Sequence, residues 1–403
     1  MPRCSTRSLG PAARGAAIRV AGPWPLRRPG SLSSLLLSTL LLTACPDAPA
    51  MAPPSLAGTA PTTSASPTEG DPAYVPPPNA GGPTDWTPGL PFPMPDPLPP
   101  EAAPHVAQDG PRARPGSGAV ELWLGGRGEE DGRFTYPRAM TTTADGALYV
   151  ADKSGRIQKF SPEGEVLRVV RTPGITQGKP TGLGIDRHGD LLVADTHYCR
   201  VLVYDPDLKL KRWFGAPGRE PGRFMMITSV HAADGGLLYA SDFGDDVARV
   251  QVFQEDGTYL RSFGEFGWGA AQLRRPMNLA IDEGRDRVYV CDAANHRISV
   301  FTRAGQLLRH FGGEGQERGQ LGYPYDVKLD EQGRLWVAEF GNQRLSVFDP
   351  EGQCLGAWGA PGRAVGGLNR PWAVALGPAQ RVWVLDSNGD RCYALTRTAV
   401  LGS

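Results

Sequence analysis

Histidine and acidic side chains are the residues of this chain that could support metal-assisted or acid–base chemistry. Of the six histidines, His197, His231 and His296 are the candidate zinc ligands. No two histidines have a metal-binding spacing such as His-x-x-x-His. A calcium-dependent hydrolase would need converging oxygen ligands, for which Asn278 and Asp326 are the candidates. We therefore predict no catalytic residue, no metal site and no cofactor.

An acid and an arginine recur with a spacing of five residues. The pairs are Asp195/Arg200, Asp292/Arg297, Glu339/Arg344 and Asp386/Arg391. An acid that ends one strand and an arginine that opens the next can form a bidentate ion pair across the loop. Because the pair recurs along the chain, we interpret it as structural rather than catalytic.

These pairs belong to a repeated unit of four short strands joined by tight turns. The second strand of each unit ends on an acid, at Asp152, Asp195, Asp242, Asp292, Glu339 and Asp386. The first strand opens 15 or 16 residues earlier, at Pro137, Pro180, Ile227, Pro276, Pro324 and Pro371. Four-stranded units that repeat every 43 to 50 residues are typical of β-propeller blades. The sequence predicts an all-β, six-bladed propeller.

The sixth unit lacks a fourth strand, because the chain runs out after Arg391–Leu395. A stretch with the pattern of a fourth strand, Val120–Gly125, lies at the other end of the repeats. An open ring would leave unpaired sheet edges. We therefore predict that this amino-terminal strand pairs with the carboxy-terminal three and closes the propeller.

The repeat pattern resembles the NHL repeat over residues 119–397. Asn295-His296-Arg297 reproduces the letters that name that family, and Asn342-Gln343-Arg344 and Asn388-Gly389-Asp390-Arg391 are close variants. The resemblance implies a six-bladed propeller that serves as a recognition platform for protein or RNA. A few relatives are metal-assisted lyases or lactone hydrolases. The first and third units depart from the pattern, because their acid-to-arginine loops are one residue short and two residues long.

One face of the predicted disc gathers the strand-opening positions, the loops between second and third strands, and the connectors between blades. Its candidate binding residues are Tyr198, Phe243, Asp245, Asp246, Trp268, Tyr325, Phe340 and Trp372. Inner-strand positions add candidates for an axial channel: Ser229, His231, Asn278, Asp326 and Lys328. Aromatic and charged groups on a rigid rim suit recognition of a protein or small ligand, although some of these aromatics could simply cover blade packing.

The amino-terminal segment has the parts of a secretory signal. Six arginines and no acid precede an apolar run of Leu and Ser, which leads into Leu42-Thr43-Ala44-Cys45. The order resembles the lipobox of bacterial lipoproteins, and that resemblance implies cleavage before Cys45 and acylation of this residue. We predict a lipoprotein signal peptide at residues 1–44, a membrane anchor through acyl chains on Cys45, and an extracytoplasmic location.

Residues 45–118 are rich in Pro, Ala, Gly, Ser and Thr, and we predict that they form a disordered tether. The whole chain carries 42 basic and 42 acidic side chains. Zero formal net charge, together with export, disfavours nucleic acid as a partner.

Four cysteines fall within the repeats: Cys199, Cys291, Cys354 and Cys392. Cys291 replaces the alanine of the second-strand pattern, which predicts a buried free thiol. A Cys354–Cys392 disulfide between neighbouring blades is a further possibility. Taken together, the sequence favours a membrane-anchored recognition or scaffolding module without enzymatic activity. The alternative is a metal-dependent lyase or lactone hydrolase that uses the axial channel.

Overall fold

The structure is a computed structural model that describes residues 114–116, 118–174 and 179–401. The predicted signal peptide, Cys45 and nearly all of the predicted tether lie outside these residues. The described part is nearly all β, with three short 3-10 helices (Thr196–Tyr198, Asp234–Gly236 and Ala293–Asn295) and one α-helix, α1 (Arg397–Leu401). Its helices are too short and too polar to cross a bilayer.

Six antiparallel sheets form the blades. Blade one contains β3 (Pro137–Thr142), β4 (Leu148–Asp152), β5 (Arg156–Phe160) and β6 (Val166–Arg171). Blade two contains β7 (Pro180–Ile185), β8 (Leu191–Asp195), β9 (Arg200–Tyr204) and β10 (Leu210–Phe214). Blade three contains β11 (Ile227–Ala233), β12 (Leu237–Phe243), β13 (Ala248–Gln254) and β14 (Tyr259–Phe263).

The second half repeats the same order. Blade four contains β15 (Pro276–Asp282), β16 (Arg287–Asp292), β17 (Arg297–Thr302) and β18 (Leu307–Gly312). Blade five contains β19 (Pro324–Leu329), β20 (Leu335–Glu339), β21 (Arg344–Phe348) and β22 (Cys354–Trp358). Blade six contains β23 (Pro371–Leu376), β24 (Arg381–Asp386) and β25 (Arg391–Thr396), and it is completed by β2 (Val120–Gly125) and β1 (Arg114–Pro115).

The first strands of the six blades pack side by side around the axis, each against the first strand of the next blade, and β23 returns to β3. The six-bladed prediction is confirmed, and each first strand begins at its predicted opening residue. The second and third strands of each blade are almost continuously buried, because both faces of a blade pack against neighbours. Their runs of Val, Leu, Ile and Ala satisfy that requirement.

The closing strand is also confirmed. Strand β2 pairs antiparallel with β25, with Leu124 opposite Cys392 and Gly125 opposite Arg391. The two-residue strand β1, which the sequence analysis did not predict, adds to the outer edge of β2. Its shortness and its proline limit further edge-to-edge pairing.

Neighbouring blades are joined at their outer edges by aromatic contacts that recur from blade to blade. The last residue of a fourth strand, or the one before its terminal glycine, packs on the third strand of the next blade. The ring centroids of Phe214 and Phe253 lie 5.3 Å apart, and those of Phe263 and Phe301 lie 5.1 Å apart. Trp358 and Tyr393 make the same contact at 6.1 Å. These rings act as core, as the sequence predicted.

No disulfide joins any two cysteines of the described residues. Cys291 is fully buried, and burial raises the pKa of its thiol. No Cys354–Cys392 disulfide forms. The reason is geometric, because Cys354 begins the fourth strand of its blade whereas Cys392 lies near the start of a third strand. Antiparallel pairing places these two positions at opposite ends of neighbouring blades.

Candidate functional site

The acid–arginine pairs form a frame present in all six blades. We use "acid–arginine frame" for Asp152/Arg156, Asp195/Arg200, Asp242/Arg249, Asp292/Arg297, Glu339/Arg344 and Asp386/Arg391. The pair survives the short loop of blade one, where the N···O distance is 2.9 Å, and the long loop of blade three, where it is 3.1 Å. The expected bidentate geometry was wrong, because each arginine gives the acid one N–H.

The other guanidinium N–H groups of the frame bind the connector that precedes the blade. Arg344 donates to Glu339 Oε1 at 2.7 Å and to the carbonyl of Gln320 at 2.8 Å. The acid in turn accepts a connector N–H, as in the bond from Gly322 to Glu339 at 3.0 Å. Five of the six acids accept such a connector N–H, and Asp195 Oδ1 has no partner among the described residues. Buried carboxylates and backbone groups are thereby largely satisfied together, so the frame is structural.

Burial changes the pKa of several acids of the frame. Desolvation raises the pKa of Asp195 and of Asp242 to about 6, against the opposing effect of Arg200 and Arg249. Desolvation also raises the pKa of Asp292 and Asp386.

The mouth of the axial channel lies at the strand-opening end of the disc. We define the mouth as the residues one position after each strand opening: Arg138, Thr181, Thr228, Met277, Tyr325 and Trp372. In four blades the residue before the opening proline has a positive φ, between 48° and 58°. These residues are Tyr136, Arg275, Tyr323 and Arg370. Left-handed backbone is unfavourable for residues other than glycine, and recurrence shows that the fold itself imposes it.

Aromatic rings and arginines alternate around one side of the mouth. Tyr325 stacks on Phe340 with a centroid distance of 4.3 Å and an interplanar angle of 17°, and it meets Trp372 edge-to-face at 4.8 Å. Arg275 lies 5.5 Å from the centroid of the Tyr325 ring and 5.7 Å from that of Phe243. These distances are within the range of cation–π attraction.

Two more arginines extend this set. Arg138 lies 4.5 Å from the centroid of the Trp372 ring, and Arg370 lies 5.4 Å from that of Phe340. We call the set the cation–aromatic arc: Phe243, Arg275, Tyr325, Phe340, Arg370, Trp372 and Arg138. Tyr325 and Trp372 are only 4% and 9% exposed, so they offer ring edges, while Arg370 is exposed and Phe243, Phe340, Arg138 and Arg275 are half-buried.

The arc borders a small pocket at the mouth with a volume of about 10 Å³, which is room for about one water molecule. Arg138, Thr181, Met277, Tyr325 and Trp372 form its wall. Asn278 and Asp326, one position further along their strands, complete the lining with small residues such as Gly182. A β-carbon at Gly182 would lie 2.4 Å from the carbonyl oxygen of Thr228, so glycine permits the close approach of blades two and three there.

The predicted axial residues are brought together, but mainly as links between blades. His231 Nε2 lies 2.5 Å from Asn278 Oδ1, which joins blades three and four. Asp326 binds Lys328 at 2.9 Å and accepts the N–H of Val374 in blade six at 2.9 Å. Burial and the Lys328 charge lower the pKa of His231 to about 3, and burial raises the pKa of Asp326.

Ser229, the fifth axial candidate, is fully buried, and its hydroxyl has no hydrogen-bond partner among the described residues. The axial groups therefore consist of neutral or internally paired side chains.

The other predicted face residues are not part of the arc. Tyr198 lies under Arg200, whose guanidinium carbon is 4.7 Å from the ring centroid. Asp245 and Asp246 are exposed, and Asp246 pairs with Arg219. Trp268 is 66% exposed, with Arg274 4.3 Å from the centroid of its ring. The face thus carries one concentrated set of groups, the arc, and several separate ones.

The arginines of the arc were missed from the sequence. Arg275 and Arg370 directly precede a strand-opening proline and Arg138 directly follows one, so the repeat register could have placed all three at the mouth. No group of three or more His, Cys, Asp or Glu side chains is arranged to hold a metal ion within the part of the chain that the structure describes.

Comparison with known proteins supports the fold. No protein-family model matches the chain. The protein brain tumor of Drosophila melanogaster is 24% identical over 123 residues, which are 29% of this chain and only 11% of that protein. A gluconolactonase from Xanthomonas campestris has a TM-score of 0.53 at 20% identity and covers 74% of this chain and 98% of its own. Virginiamycin B lyase from Staphylococcus aureus has a TM-score of 0.47 at 12% identity, covering 64% and 94%. At these identities the gluconolactonase likeness shows the propeller fold alone.

Proposed function

We propose that this protein is a recognition module that binds an acidic segment of a partner protein at the mouth of its propeller. The observation that carries the proposal is the cation–aromatic arc at the mouth. Arg275 and Arg370 supply positive charge to this arc, because they form no ion pair among the described residues, whereas the frame arginines are paired with acids. Arginine and aromatic side chains are also the types enriched at the centres of protein interfaces.

The geometry favours an anionic group held above the arc with an apolar side chain against its aromatic rings. Arg370 is exposed and can reach a carboxylate without losing contact with Phe340. An arginine can bind a carboxylate through two parallel N–H groups. Tyr325, Trp372 and Met277 make this side of the mouth apolar, which suits contact with an apolar side chain next to the acid.

A peptide titration tests this proposal. The probes are fluorescein-labelled 12-residue peptides in which apolar residues alternate with Glu, Gln or Lys, and binding is followed by anisotropy. We expect only the Glu peptide to bind. Its affinity should be about tenfold lower for the Arg370→Glu and Arg275→Glu variants, since a charge-assisted pair contributes about 1.5–3 kcal/mol. Arg363→Glu is the control, because Arg363 is exposed on a connector outside the arc. Equal binding of the Glu and Gln peptides would contradict the proposal.

A second candidate is a lyase or lactone hydrolase that uses the axial groups with a metal ion. One observation favours it: His231, Asn278, Asp326 and Lys328 lie together next to the pocket. Elemental analysis of the purified protein separates the candidates. Stoichiometric zinc or calcium that is lost in His231→Gln or Asp326→Asn would support the enzyme, and binding of acidic peptides by metal-free protein would support recognition.

The location is a proposal of its own. The lipobox-like Leu42-Thr43-Ala44-Cys45 supports cleavage before Cys45 and its acylation, which would anchor an extracytoplasmic propeller to a membrane. Two or more acyl chains, at about 0.8 kcal/mol per buried methylene, give stable anchoring. Metabolic labelling with a fatty-acid analogue should mark the natural chain and not Cys45→Ala. Equal labelling of both would contradict the anchor.

A further inference from the structure

The chain leads into the propeller from the face that carries the mouth. Strand β2 runs towards that face, because it ends at Gly125 opposite Arg391, and the N–H of Gly126 binds the carbonyl of Asp390 at 2.7 Å. A side-chain oxygen of Asp390 accepts the N–H of Tyr136, next to the mouth. Strand β1 is antiparallel to β2, with Arg114 opposite Trp123. It therefore begins on the mouth side and runs away from it.

The stretch that precedes this entry point has the charge and composition that the arc would bind. Residues 46–111 contain no Lys or Arg, and their acids are Asp47, Glu69, Asp71, Asp85, Asp96, Glu101 and Asp109. Within residues 85–101, three of these acids alternate with a proline-rich run, Pro91-Phe92-Pro93-Met94-Pro95-Asp96-Pro97-Leu98-Pro99-Pro100.

We propose that residues 85–101 bind the mouth of the same molecule and compete there with the partner. The inference rests on the proposed function, since it assigns the arc an internal ligand. Proline-rich segments are recognised by aromatic grooves because their extended conformation loses little entropy on binding. Asp96 lies in the middle of the proline-rich run, where it can pair with Arg370 while proline rings contact Phe340.

The length of the connection permits this contact. Residues 102–113 can span about 40 Å at roughly 3.3 Å per residue. The five strands of blade six, spaced about 4.8 Å apart, place β1 only about 20 Å from the inner strand β23. A tether of this length raises the local concentration of the segment to the millimolar range. Weak intrinsic affinity is therefore enough for substantial occupancy of the mouth.

Photo-crosslinking tests the contact in the chain spanning residues 46–403. A benzophenone amino acid replaces Phe92 in one sample and Tyr74 in the control, which lies in the same tether outside the segment. We expect position 92 to give an intramolecular crosslink to the peptides that contain Tyr325, Phe340 or Trp372, at several times the yield from position 74. Arg370→Glu should reduce that yield. Equal yields from positions 92 and 74, or crosslinks only elsewhere, would overturn the proposal.

A competition measurement distinguishes this inference from the proposed function. A labelled peptide of residues 85–101 is titrated into the 46–403 chain and into its Asp96→Lys/Glu101→Lys variant. Release of the internal segment should tighten binding of the added peptide about tenfold. Unchanged binding that still depends on Arg370 would reject the internal contact and keep acidic recognition. Failure of this peptide and of the Glu peptide to bind either folded chain would reject the proposed function itself.

Discussion

The acid–arginine frame and the cation–aromatic arc use the same residue type in opposite ways. In the frame, each arginine is tied to a buried acid and to connector carbonyls, and the arrangement occurs six times. In the arc, arginines lie over aromatic rings, and the set occurs on one side of one mouth. The frame arginines are engaged by buried acids and connector carbonyls, whereas Arg275 and Arg370 of the arc retain charge for a ligand. Recurrence marks structure in this molecule, and departure from recurrence marks the place to look for function.

Removal of the closing strand, β2, should destabilise the propeller more than any of the substitutions below. Deletion of residues 118–125 leaves β25 without its outer neighbour and exposes the sheet edge that Leu124 and Trp123 cover. We expect aggregation or loss of a cooperative thermal transition, measured by calorimetry. Deletion of residues 46–111, which leaves β1 and β2 in place, is the control and should melt like the natural chain. An unchanged transition without residues 118–125 would show that the ring does not depend on this strand.

Breaking one acid–arginine pair of the frame should lower the free energy of unfolding by several kcal/mol. Asp292 is fully buried and accepts hydrogen bonds from Arg297, Asn295 and the N–H of Arg274. Removing one partner of a buried pair costs about 3–5 kcal/mol, because the other charge stays buried. Asp292→Ala should lower the free energy of unfolding in urea by that amount.

Asp246→Ala provides the matched control for this substitution. The Asp246–Arg219 pair is largely exposed, and exposed pairs contribute about 0–1 kcal/mol. Similar losses in Asp292→Ala and Asp246→Ala would remove the distinction between frame and face.

The sequence was sufficient for the ring and insufficient for the site, for one physical reason. The frame acids and the opening prolines can be recognised because they recur from repeat to repeat. The closing strand can be recognised because it has the pattern of the other fourth strands. Arg138 follows a strand opening, where the other blades have Thr, Met, Tyr or Trp, and Arg275 and Arg370 precede one, where the other blades have Tyr, Lys or Met. Their contacts with Trp372, Tyr325 and Phe340 cross blade boundaries, and a single sequence does not show which rotamers meet there.

Charge reversal in the arc should separate binding from stability. Arg370 is exposed, so Arg370→Glu should change the free energy of unfolding by no more than about 0.5 kcal/mol. The same variant should bind the Glu peptide about tenfold more weakly, a loss of about 1.4 kcal/mol. Raising the salt concentration should weaken the natural chain's binding more than the variant's, because exposed charges are screened and the variant lacks the charge of Arg370. A stability loss as large as that of Asp292→Ala would place Arg370 in the structural class.

The smallest expected effect is a pH dependence that originates at the axis. Burial lowers the pKa of His231 to about 3 from the ordinary value of 6.5. The unfolded chain therefore takes up a proton below pH 6.5 that the folded chain excludes, so this contribution to stability is present above pH 6.5 and is lost as the pH falls. The frame acts in the opposite sense. Burial raises the pKa of Asp195 and Asp242 to about 6, so their contribution is present below pH 3.8 and is lost as the pH rises through 6.

A single substitution isolates the histidine from the frame, since both act in the same pH window. Between pH 7.5 and pH 5, the natural chain should lose about 1 kcal/mol more free energy of unfolding than His231→Gln, because about 1.4 kcal/mol per pH unit is reduced by solvent at the half-buried ring. Urea titrations at the two pH values measure the difference. If the free energy of unfolding changes by the same amount in both chains, then His231 takes up its proton in the folded propeller as readily as in the unfolded chain. The axial groups would then carry a positive charge near the arc at pH 5.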